Sequence, residues 1–221
     1  MNRRSQRQMQ LLDSNTHGNE CELFIVEGES AASSVSALCD KQLQAVLPLQ
    51  GKPLNAYKAS HDKVQASPLH IQFANALGLA CPTKITTTEL QNLNYGKILL
   101  LFDPDADGIH IGALVLMYIQ RWLPELIEHN KVFMLRSPMY SITSKNKDNV
   151  QTTQFAYLPQ QLGQLKNHIK QANDTLVKTE RFQSVGSVPP DVLAKLCIHP
   201  TTRQANLVND AHIQAIINIF G

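Results

Sequence analysis

The chain has 221 residues, 43% of them hydrophobic and 17% charged, with a formal net charge of +2: the make-up of one well-packed globular domain with at most an appended subdomain. That charge is too mild to mark a dedicated nucleic-acid binder by bulk electrostatics, so any basic surface has to be local. Cys21, Cys39, Cys81 and Cys197 form no C-x-x-C pair and have no His at zinc-ligand spacing, which argues for reduced thiols and against a zinc site.

Residues 1–20 read as an N-terminal arm. Arg3, Arg4 and Arg7 are followed by no apolar stretch, and no window reaches the length of a membrane span, so a cytoplasmic protein without a membrane partner is expected. The arginines form either a solvated tail or a phosphate-contacting arm. "CELFIVEG" (21–28) is a buried strand ending on Gly28, and "ESAASSVSAL" continues it as a helix. "AVLPLQGKPLN" is a second short strand running into a Gly/Pro loop, and "LHIQFANALGL" has helical spacing. "KILLLFD" is uninterrupted and apolar, as in a central parallel strand covered on both faces. "IHIGALVLMYIQRWLPELI" is a largely buried helix, and "KVFMLRSPMYSIT" alternates like a strand.

From residue 144 the character changes. "SKNKDNVQTTQ" reads as a polar loop, "FAYLPQQLGQLKNHI" as strand and helix, and "TLVKTERFQSVGSVPPDVL" as a strand leading to a Pro-marked helix start. "NDAHIQAIINIFG" is an amphipathic helix. The division expected is a core over 21–143 and a small C-terminal α+β extension over 144–221. The strand–helix alternation predicts an α/β fold, a parallel sheet flanked by helices, with its chemistry at the carboxyl ends of the strands. Glu27 and Asp103 both fall at such ends, 76 residues apart, so their meeting is a tertiary expectation.

Asp103, Asp105 and Asp107 in "FDPDADG" fit several chemistries. A calcium loop matches them and Gly108, but its twelfth position is Leu114 and a strand, not a helix, precedes it. A phosphatase D-x-D loop wants a hydroxyl or small apolar residue where Asp107 stands. A solvated acidic turn is the plain alternative, although three like charges in five residues repel one another. Magnesium accounts best for the pattern, since it takes oxygen ligands, keeps several waters and is commonly shared with a phosphate. Glu27 could complete the shell or act as general acid/base; alone, it could equally be a carboxylate at the next helix's N-terminus.

Taken together, these segments resemble the Toprim domain of type IIA DNA topoisomerases, in the C-terminal half of the bacterial gyrase B or topoisomerase IV B proteins. "LFIVEGESA" is similar to L-x-V-E-G-D-S-A, "QAVLPLQGKPLNAYKA" to Q-A-I-L-P-L-R/K-G-K-I-L-N-V-x-K-A, "FDPDADGIHI" to T-D-A-D-V-D-G-x-H-I, and "FMLRSPMYSI" to I-A-x-P-P-L-Y. The tail "RFQSVGSVPPDVLAKLCIHPTTR" is similar to R-Y-K-G-L-G-E-M-x-P-x-Q-L-W-x-T-T-M-D-P-x-T-R. The resemblance implies a Rossmann-like Toprim fold, Glu27 as general acid/base, and one or two Mg2+ ions held by Glu27, Asp103, Asp105 and Asp107. It implies Lys52 and His110 as DNA-contacting residues. DNA would be a partner, as could a tyrosine-bearing gyrase A-like subunit and a separate ATPase chain; because the sequence has no Gly-rich nucleotide loop, no ATP is expected to be bound by this chain. The tyrosines at 57, 95, 118, 140 and 157 read as packing residues.

Departures from the family pattern fall on charge. Gln50 replaces a basic residue, Glu29 an aspartate, Gln183 a lysine and Ser187 a glutamate, while Ala32 and Ser33 stand where the family has glycines. Metal ligation is therefore expected to persist and DNA affinity to weaken. The alternatives to a topoisomerase component, itself expected to be inactive alone, are a non-catalytic module that binds DNA or a topoisomerase, and a metal-dependent nuclease using water as nucleophile.

Overall fold

Leu23 and Ile25 pack into one hydrophobic cluster and Phe24 and Val26 into another, and all four are fully buried. A strand with no polar face has to lie inside a sheet covered on both sides. The computed structural model, which describes residues 10–220, has that arrangement. In chain order the first half consists of β1 (Gly18–Glu27), α1 (Gly28–Ser36), β2 (Gln44–Leu49), α2 (His61–Gln65), α3 (Pro68–Leu77), α4 (Thr87–Gln91), β3 (Tyr95–Leu101), α5 (Ala106–Trp122), α6 (Glu125–Glu128) and β4 (Val132–Leu135). Then follow β5 (Tyr140–Lys145), β6 (Gln151–Ala156), α7 (Pro159–Gln171), β7 (Thr175–Arg181), α8 (Pro190–Leu193), β8 (Ala205–Leu207) and α9 (Asp210–Phe220).

The main sheet has the order β2-β1-β3-β4-β8, parallel except for the last strand. Ile98 and Leu100 of β3 join the same cluster as Leu23 and Ile25, while Leu99 and Leu101 join the other. Each such side chain contributes about 1.5–3 kcal/mol on burial. α2, α3, α5, α6 and α9 supply the first face, and α1, the turn at Val185 and α8 supply the second. The parallel, helix-flanked sheet expected from the sequence is the fold observed.

Two short stretches differ from their sequence pattern. The segment 144–154 is not all loop. β5 and β6 enter it as an antiparallel hairpin whose turn is held by Asn146 Oδ1, which accepts the N–H groups of Asp148 and Val150 at 3.0 and 2.9 Å. β6 is exposed over its first four residues, so it needs no apolar alternation and shows none. The Pro-marked helix is a single turn, α8, that runs directly into a π-helical turn at Ala194–Ile198.

β5, β6 and β7 form a second, antiparallel sheet in the order β6-β5-β7. The chain then returns to the main sheet: β8 pairs with β4, and Ile213 of α9 joins the first hydrophobic cluster. A buried ion pair fastens this return. Arg203 donates from both terminal nitrogens to the Glu22 carboxylate, Nη1 at 2.7 Å to Oε2, and both side chains are 5% exposed. Tyr95 and Tyr118 are fully buried, Tyr57, Tyr140 and Tyr157 are half-buried, and all four cysteines are free thiols. Arg3, Arg4 and Arg7 lie outside the described residues. Among the described residues no helix is long and apolar enough to cross a membrane.

Candidate metal centre

The register of the sheet brings the carboxylates together. Val26 of β1 pairs with Leu101 of the neighbouring β3, so Glu27 and, two residues past the strand end, Asp103 emerge from adjacent strands at the same edge. The chain leaves β1 toward β2 and returns past β1 to β3. That reversal opens a crevice at the carboxyl ends, the place where open α/β sheets bind ligands.

Local chemistry fixes each turn. Gly28 follows Glu27 with φ +72°, a left-handed conformation that glycine adopts without a Cβ penalty and that swings the chain from β1 into α1. Asp105 is the N-cap of α5, accepting the Gly108 N–H on Oδ1 at 2.8 Å; an aspartate there satisfies one of the helix's orphan donors. Gly108 is required by close packing, since a Cβ would come within 2.2 Å of the Asp103 carbonyl oxygen. Asp107 lies in the first turn of α5 and is exposed, meeting Lys52 Nζ at 3.2 Å.

Electrostatically this edge is relieved only in part. Burial, and then the charges of Asp103, Asp105 and Asp107, push the Glu27 carboxyl up from its ordinary range, opposed only by Lys52. Among the described residues its side chain makes no hydrogen bond or ion pair. Burial likewise pushes Asp103 up, with a further push from Asp105, against the pull of the Val185 N–H that donates to its Oδ1 at 2.7 Å. That last contact escapes sequence reading. The tail "QSVGS" crosses back over α1, places Val185 in the second cluster and brings a backbone donor to the acidic loop; a main-chain N–H leaves no signature in residue types.

The sequence-derived residues are thus brought to one edge, but unequally. Among the described residues no three carboxylate, imidazole or thiolate groups converge into a ready-made metal cage. The donor set nevertheless suits Mg2+, which keeps much of its water and is held by one or two carboxylates, and the mutual repulsion is what a cation would relieve. Lys52 reaches the cluster through Asp107. His110 points elsewhere: its ring stacks on Phe220 of α9, with centroids 5.1 Å apart. Ser187, where the family pattern has glutamate, organises its own turn, its Oγ accepting the N–H groups of Gln183 and Ser184 at 3.0 Å.

The Toprim domain family matches residues 22–136, a span that contains both strand ends and the acidic loop. The chain is 31% identical over 191 residues to the B subunit of DNA gyrase from Thermotoga maritima, covering 86% of this chain and 28% of that protein. It is 34% identical over 183 residues to the B subunit of DNA topoisomerase 4 from Haemophilus influenzae, covering 83% of this chain and 27% of that one. With the gyrase protein of the same kind from Clostridium acetobutylicum it shares 30% identity over 207 residues, 94% of this chain and 31% of the relative. The chain therefore spans under a third of the length of these relatives.

Proposed function

The chain belongs to the Toprim domain family, and from that premise we propose that it is the Mg2+-dependent module of a type IIA topoisomerase B-like assembly, supporting DNA strand cleavage and religation. The observation that carries this reading is the emergence of Glu27 and Asp103 from adjacent strand ends beside Asp105 and Asp107. Glu27, Asp103, Asp105 and Asp107 would hold one or two Mg2+ ions, which supply stabilisation of negative charge on phosphate oxygens.

The chain's own residues do the rest. Glu27 is committed to no hydrogen bond among the described residues and is free to take or return a proton at the scissile oxygen. Asp103 is aimed by the Val185 N–H. Lys52 and His110 are the DNA-contacting candidates: Lys52 can leave an exposed carboxylate for a phosphate, whereas His110 would first have to leave its stack on Phe220. Residues 21–143 carry the chemistry, and residues 144–221 brace it through Val185 and Arg203. The tyrosines of this chain are read as packing residues, and the attacking group would come from a gyrase A-like partner. A cytoplasmic location follows from that role.

The open arrangement of the carboxylates and the neutral residues at Gln50, Gln183 and Ser187 favour, as a second reading, a module that docks on DNA or a topoisomerase without chemistry. Incubating the protein with supercoiled plasmid and Mg2+ or Mn2+, with and without a gyrase A protein, separates the readings. Partner-dependent cleavage lost in Asp103→Ala and kept in Asp62→Ala supports the proposal. Nicking without the partner supports a nuclease, and inactivity in both arms supports the docking module.

A further inference from the structure

Beside the carboxylates, at the carboxyl ends of β3 and β4, lies a cavity of about 320 Å³, at the small end of the range for organic-ligand sites. Its walls come from separate parts of the fold: Phe102 and Leu135 from the strand ends, Ala113 and Leu116 from α5, Tyr157 from the β6–α7 junction and Phe220 from α9. Three of these six are aromatic, and none carries a charge. Asp103 reaches the wall as its only carboxylate among the described residues, with one oxygen already engaged by the Val185 N–H.

The polar side of the cavity is unmatched. Arg136, directly after β4, is exposed and makes no ion pair or hydrogen bond from its side chain among the described residues. Ser137 beside it is 2% exposed, and its hydroxyl has no hydrogen-bond partner among those residues. Native folds rarely leave a buried hydroxyl unpaired, because the group then loses its water without gaining a partner. In the segment that resembles I-A-x-P-P-L-Y, this serine stands at the first proline and Arg136 at the open position, so neither group comes with the shared pattern.

We infer that this cavity binds a small aromatic carboxylate, its ring among Phe102, Tyr157 and Phe220 and its anionic end on Arg136 and Ser137. A bare phosphate would leave the apolar walls unmatched. An uncharged hydrocarbon would leave the guanidinium and the buried hydroxyl unmatched. The cavity shares Asp103 with the proposed metal centre, but the binding expected of it is read without DNA or metal.

Titration calorimetry with 2-naphthoate, 2-naphthalenemethanol and 2-naphthylmethylamine tests the assignment on the whole chain. Naphthoate should bind with one-to-one stoichiometry, and about tenfold or more tighter than the neutral alcohol or the amine, because hydrogen bonds to charged groups are the stronger ones. Arg136→Gln, a change at an exposed position, should reduce naphthoate to the affinity of the alcohol. Ser137→Ala, which removes the unpaired hydroxyl and cannot unfold the chain by breaking a bond, should weaken naphthoate severalfold and leave the alcohol unchanged. Absence of saturable naphthoate binding, equal affinity for all three probes, or indifference to Arg136→Gln would each overturn the inference.

Discussion

Glu22 and Glu27 stand five residues apart on the same strand and have opposite surroundings. Glu22, at the amino end of the sheet, is buried against Arg203, accepts Gln44 Nε2 at 2.8 Å and has Lys97 Nζ at 3.6 Å. Burial alone would raise its carboxyl, but the Arg203 and Gln44 hydrogen bonds and the charges of Arg203 and Lys97 hold it below the ordinary value. Glu27, at the carboxyl end, is pushed up by burial and by three aspartates, and accepts no hydrogen bond among the described residues. One end of β1 satisfies its charge to hold the chain together; the other leaves its charge unpaired, the pattern of a functional site and not of a structural one.

The largest effect should come from breaking the satisfied end. Arg203→Ala leaves a buried carboxylate without its main partner and should cost about 3–5 kcal/mol of unfolding free energy, read as a fall in urea midpoint at unchanged slope. The pH dependence has a definite sign. Because the folded Glu22 carboxyl is depressed, its stabilisation is fully present above its ordinary value of 4.5 and is lost as pH falls through the lower folded value. Arg203→Ala should therefore flatten that acid limb as well as lower the midpoint; a limb of unchanged steepness would show that Glu22 is not the group responsible.

At the unsatisfied end the ranking inverts. Glu27→Gln and Asp103→Asn remove charges that repel their neighbours, so stability should be unchanged or slightly raised. Affinity for Mn2+, followed by titration calorimetry, should fall by about tenfold or more, since even an outer partner of a metal ligand is worth that much. Destabilisation comparable to that of Arg203→Ala would mean these carboxylates are structural, and the contrast along β1 would fail.

Asp105 belongs to both regimes and can be split. As N-cap of α5 it accepts the Gly108 N–H, so Asp105→Ala should cost about 1 kcal/mol. Asp105→Ser keeps a capping oxygen and loses the charge. It should retain most of the stability while weakening divalent-ion binding, and a thermal melt beside a Mn2+ titration reads the two roles independently.

Much of this site could be read from residue order. The runs at 21–27 and 97–102 read as buried strands, and carboxylates at the carboxyl ends of both are expected at one edge of a parallel sheet. The alternating aspartates and the glycines at 28 and 108 are local requirements, so they show in a linear pattern. What stayed hidden depends on distance along the chain or on the backbone. Arg203 reaches Glu22 across 181 residues, and Val185 holds Asp103 with a main-chain N–H that any residue but proline could offer. The β5–β6 hairpin was concealed because β6 is exposed and follows no hydrophobic period. The degree of convergence of the carboxylates is likewise invisible in sequence, since it depends on rotamers and loop path and not on residue type.

Lys52 should give the smallest stability effect and the most informative contrast with DNA binding. Its contact with Asp107 at 3.2 Å joins side chains that are 47% and 69% exposed, and such pairs are worth about 0.2–1 kcal/mol because solvent screens them. Lys52→Ala should therefore leave the urea midpoint nearly unchanged. If the ammonium instead serves a DNA phosphate, the variant should bind duplex DNA more weakly regardless of sequence. Its plot of log K against log salt should be shallower by about one unit, the counterion released by one phosphate contact. An unaltered slope would return Lys52 to a local role of neutralising Asp107, and any cation that serves the proposed DNA contact would have to be sought on another element.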